Sequence, residues 1–135
     1  MEHLKLDLGV VEYAIAGGGV LRFNPADPAL YGRFAAAEEQ LAKVEEELMK
    51  KSKNATPEVL LALMNEADRK AKALLQNVFG EENDFHKALG GISLLAACAN
   101  GRTVAENLFD ALGKVLEQGA DRLVESKLSA AQKAL

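Results

Sequence analysis

Two stretches of this chain repeat apolar residues at alternating spacings of four and three, a pattern that fits a pair of amphipathic helices and little else. In the first, Leu30, Phe34, Ala37, Leu41, Val44 and Leu48 form one stripe. Glu38, Glu39, Lys43, Glu45, Glu46 and Lys50 fall elsewhere on the same helix. In the second, Leu60, Met64, Ala67, Ala71, Leu74 and Val78 repeat the rhythm. The short polar connection "KKSKNATP" predicts that the two fold back as an antiparallel hairpin. Start signals agree. Asn24–Pro25, Asp27–Pro28 and Thr56–Pro57 each set a capping side chain before a proline, whose missing N–H costs nothing in a first helical turn. Gly80 suits the position just past the second helix.

Ahead of the hairpin the period changes to two. Leu4, Leu6 and Leu8 alternate with Lys5 and Asp7, and Val11, Tyr13 and Ile15 resume the alternation after Gly9. Gly17, Gly18 and Gly19 then mark a turn before "VLRF". Two or three short antiparallel strands are expected over residues 1–23, laid on the helical hairpin of residues 25–79.

Beyond it, "FGEENDFHKALGGIS" reads as an ordered loop with one helical turn, and "ISLLAACA" as a short buried helix. A last helix opens at Thr103, with Glu106 completing a capping box, and runs to about Gln132. Gly113 and Gly119 would weaken it where exposed, and the tail "SKLSAAQKAL" is expected to fray. The whole is a single α+β domain over residues 1–135: mainly helical, with a small N-terminal antiparallel sheet, a helical hairpin and C-terminal helices over residues 92–132.

Composition narrows the function. Aromatic residues are only 5% with no tryptophan, so leucine, valine and alanine are expected to build the core. A net charge of −4 argues against duplex nucleic acid as a partner. The basic run Lys50 to Lys53 reads as the solvated end of a helix, where the macrodipole favours cations. Cys98 is the only cysteine, so no disulfide forms within the chain, and its apolar neighbours suggest a buried, inert thiol. "MEHLKLDLG" has no apolar run behind a basic start, and no apolar run nears the ~20 residues of a membrane span. The expectation is a cytosolic protein, with no membrane partner.

The residue patterns offer no catalytic constellation. His3 and His86 lie far apart, without ligands at zinc spacing, so no metal is expected. The glycine triplet meets Arg22 where a dinucleotide fingerprint needs its third glycine, and no P-loop lysine follows. The serines match neither G-x-S-x-G nor S-x-x-K. "EEND" lacks the glycine and spaced oxygens of a calcium loop and reads as a solvated loop. No enzyme and no cofactor are expected.

What is left is apolar area on the last helix. Val104, Leu108, Ala111 and Val115 make one stripe, and Ala105, Phe109, Leu112 and Leu116 make a second beside it. One stripe suffices to seat a helix on a core, so the helix is either central or keeps a face for a partner. If a face is spare, Phe109, Leu112 and Leu116, backed by Ala105, are the candidate partner-binding residues.

A strand running into "FNPADPALYGRF", a charged helix "AAAEEQLAKVEEEL", then "VFGEENDFHKALGG" and "ANGRTVAENLFDALGKVLEQG" resemble the tail assembly chaperone family of Gram-positive siphophages and prophages. Phe23, Asn24, Pro25 and Asp27 match that family's strand-to-helix junction, and Phe79 with Gly80 match its "FG" pair. Gly101, Glu106, Leu108 and Phe109 fit the opening of its last helix more loosely. The second "FG" stands here as Leu89–Gly90. The resemblance spans Leu4 to Gly119. It implies a non-enzymatic protein of the host cytoplasm that binds the long apolar tape-measure protein and is displaced as tail-tube subunits polymerise around it. The rival expectation is a structural tail or head-completion subunit retained in the virion. The oligomeric state stays open, a homo-oligomer included.

Overall fold

The computed structural model describes residues 1–134. Strands β1 (Val11–Ala14) and β2 (Val20–Phe23) form an antiparallel hairpin in which Val11 faces Phe23 and Tyr13 faces Leu21. Helices α1 (Pro28–Ser52) and α2 (Pro57–Phe79) follow, then the single turn α3 (Phe85–Ala88) and the long α4 (Val104–Ala134). The chain is α+β and mainly helical, with its small sheet at the N-terminal end.

The local signals act as their chemistry requires. Asp27 caps α1 by accepting from the Ala29 N–H, and Thr56 caps α2 by accepting from Val59. Gly80 ends α2 with φ +106°. Thr103 and Glu106 form the reciprocal box that opens α4. Along α1, Leu30, Phe34 and Ala37 are buried and Leu41, Val44 and Leu48 half-buried, so only the upper half of the stripe enters the core. On α2 a neighbouring face is sealed as well, with Asp68, Lys72, Leu75 and Phe79 buried. This second face packs beneath the segment carrying α3.

The buried core is mostly leucine and alanine, as the composition leads one to expect, and aromatic rings run through it. All five phenylalanines take part in one run of ring contacts. Tyr13 stacks on Phe23 at 4.8 Å, Phe23 meets Phe79 edge-on at 4.9 Å, and Phe79 lies 5.5 Å from Phe85. Phe34 approaches Phe79 at 6.2 Å and Phe109 at 5.4 Å. Each of the six elements thus contributes one ring, and leucines and alanines fill the spaces between.

Several expectations are corrected. Leu4, Leu6 and Leu8 form no strand; they are 95%, 74% and 64% exposed. Gly9 adopts φ +69° and donates its N–H to the Asp7 carboxylate, while the Leu8 carbonyl accepts from the Asn24 side chain. A left-handed residue here suits glycine and interrupts extended pairing. "ISLLAACA" is not a helix either. Its backbone groups bond outward: the Leu94 N–H donates to Asp68, and the Leu94 and Ala96 carbonyls accept from Ala105 and Val104. An isolated bridge joins Ala97 to Thr103. The segment therefore satisfies the otherwise unpaired N–H groups of the first turn of α4. Residues 92–132 accordingly hold one helix, not several. Cys98, in this loop, is half-buried rather than buried. The tail stays helical, although residues 124–133 are exposed.

Candidate functional site

The side chains of α1, α2 and α4 leave an open apolar groove of about 300 Å³. Leu41, Val44 and Leu48 line one wall from α1, the lower half of the stripe whose upper half enters the core. Ala67 and Ala71 of α2 form the back, and such small side chains there leave depth. Leu94 and Leu95 close one side, and Ala105 with Phe109 supply the α4 wall. The Phe109 ring rests on Phe34 and is itself half-buried.

The rim is charged and mostly acidic. Glu38 and Glu45 stand on the α1 edge, with Glu106 and Asp110 on the α4 edge beside Arg102. The Arg102 guanidinium donates to the Asp110 carboxylate and lies 3.7 Å from Glu106. That hydrogen bond holds the Asp110 carboxyl below its ordinary range and raises Arg102. Glu106 is also lowered, first by the Thr103 backbone N–H and then by its hydroxyl. Glu38 and Glu45 have no ion-pair partner among the described residues.

The candidate binding residues divide. Ala105 and Phe109 line the groove, whereas Leu112 and Leu116 are only 5% and 1% exposed and belong to the core. The correction has a simple cause. Over its first half α4 lies across the body, and Val104, Leu108 and Val115 of the other stripe pack on the core too. Leucines at 112 and 116 are needed inside and are not free for a partner. Sequence reasoning also missed Leu41, Val44, Leu48 and Ala71 as groove residues, because a half-buried stripe position reads as core.

A second polar cluster is structural. Buried Lys72 pairs with Asp68 at 3.0 Å, donates to the Ile92 carbonyl and contacts His86 Nδ1 at 2.9 Å. An ammonium only donates, so the imidazole accepts at that nitrogen. Asn83, inside "EEND", is 1% exposed rather than solvated. Its Oδ1 accepts from the Arg22 N–H, and its Nδ2 donates to the carbonyls of Arg22 and Phe79. The amide thereby supplies β2 with the partner a third strand would have given. Among the described residues no group of three or more His, Cys, Asp or Glu side chains could hold a metal ion, and no helix is long and apolar enough to cross a membrane.

No protein-family model, curated protein or solved structure gives a match to the chain.

Proposed function

We propose that this protein is a phage tail assembly chaperone of the kind its sequence resembles. It would cover apolar helical stripes of the tape-measure protein in the host cytoplasm, without enzymatic activity or cofactor. The observation that carries the reading is the groove between α1, α2 and α4, whose apolar floor lies open beside the packed core. A helix laid in such a groove buries its apolar face. Only one aromatic side chain, Phe109, lines the groove, which keeps each contact modest and suits displacement by tail-tube subunits.

The test is co-expression with a tape-measure protein, the long apolar chain that such chaperones cover. A chaperone raises the soluble yield of that protein and co-elutes with it on gel filtration. An insoluble partner and no complex would defeat the proposal.

A second reading, a structural subunit retained in the virion, draws on a different feature. Leu4, Leu6 and Leu8 are an exposed apolar run, a feature suited to permanent assembly contacts. Mass spectrometry of purified particles separates the two readings, because a chaperone is absent from mature virions.

A further inference from the structure

The groove carries information about its occupant beyond apolarity. Glu38 and Glu45 are seven residues apart on α1, so they sit on nearly the same face, two turns or about 10.5 Å apart along the axis. Both are exposed, and both border the groove. Between and below them lie Leu41, Val44 and Leu48. The opposite edge differs. Glu106 and Asp110 share Arg102, so their field is partly neutralised within the chain. The Glu47 carboxylate, further along α1, is likewise occupied by Lys51. The uncompensated negative charge of the groove is therefore concentrated on the α1 edge, at two points of fixed spacing.

We infer that the groove selects an amphipathic helix bearing two basic residues seven positions apart beside an apolar stripe. The inference rests on the groove being the docking site proposed above, and adds the charge pattern of the partner. A helix lying along α1 has the same rise per residue, so an i, i+7 pair of lysines or arginines meets both glutamates at once. The residues between the pair, on the adjoining face, then enter the cavity beside Phe109. A pair spaced by four spans only about 6 Å and reaches one glutamate at a time. A second copy of this chain is the poorer occupant, because its net charge of −4 adds repulsion at an acidic rim. Exposed ion pairs contribute little affinity each, and their larger effect is on partner choice and on association rate at low salt.

The probes are three fluorescein-labelled helical peptides with the same leucine stripe: lysines seven apart, lysines four apart, and glutamates seven apart. Fluorescence anisotropy is read at low and at moderate salt. The lysine-seven peptide is expected to bind roughly tenfold more tightly than the glutamate peptide, with the four-spaced peptide between them and the difference shrinking in salt. Glu38→Lys with Glu45→Lys should reverse the order, and exposed positions on an intact helix leave the melting temperature as the check on folding. Equal affinity for all three peptides, or an unchanged order in the reversed variant, overturns the inference. So does dimerisation of the chain that Ala71→Leu abolishes, since it assigns the groove to a second copy. If the peptides show no charge preference while the tape-measure protein is still kept soluble, the charge pattern alone falls. If Ala71→Leu leaves that solubilisation intact, the groove itself is the wrong site.

Discussion

At Gly119 the last helix passes so close to the strand-to-helix junction that a Cβ would overlap the Pro25 carbonyl, whereas a Cβ at Gly113 would meet nothing within 4 Å. The two glycines look alike in the sequence, and both suggest a weakened helix. Gly119 is in fact buried and permits the crossing, while Gly113 carries only the conformational cost. Gly119→Ala is therefore expected to lower stability by about 1–3 kcal/mol through overpacking. Gly113→Ala is expected to raise it by about 1 kcal/mol. Chemical denaturation of the two variants checks both signs, and equal shifts would contradict the packing described. Asp68 and Lys72 form another residue-scale feature that spacing could not reveal, since Asp68 also binds the Leu94 N–H 26 residues away. Asp68→Ala leaves a buried ammonium without its counter-ion and should cost about 3–5 kcal/mol. A loss within ~0.5 kcal/mol, measured by urea titration, would mean that water already screens the pair.

Elements were legible where their determinants are local. The caps at Asp27 and Thr56, the Thr103–Glu106 box and the two four-three stripes each need only neighbours within a turn or two, and each forms as read. The junction "NPADP" holds one helix start, at Asp27, and not the second one that Asn24–Pro25 suggested. The Asn24 side chain accepts from Ala26 and donates to the Leu8 carbonyl, Asp27 caps α1, and Pro25 is overlain by α4 at Gly119. Asp27→Ala should lose about 1 kcal/mol, seen as a lower denaturation midpoint at unchanged slope. An unchanged midpoint would show that the cap is dispensable. Elements were misread where the deciding partner is remote. A period of two predicted a strand for Leu4 to Leu8, but a strand also needs a neighbour, and Asn83, 61 residues away in sequence, takes the far edge of β2. The apolar run "ISLLAACA" resembled a helix, yet its hydrogen bonds go to Asp68 and to the first turn of α4.

The six elements meet in one core whose rings run from Tyr13 to Phe109, and the groove lies where that core opens between α1, α2 and α4. Half of the candidate site was legible, because two adjacent stripes on α4 announced more apolar area than one contact needs. Their orientation was not. Which stripe faces inward depends on how α4 crosses α1, and that crossing is set by the Phe34–Phe109 contact and the close approach at Gly119. Ala105 and Phe109 consequently reach the groove, and Leu112 and Leu116 do not. The central claim is that this groove receives an apolar helix of another chain. It is tested most directly by gel filtration of the tape-measure protein co-expressed with the wild-type chain and with Ala71→Leu, which fills the groove from its back wall. The account predicts a co-eluting complex with the wild type and none with a variant that melts within a few degrees of it. Equal co-elution with both would contradict it.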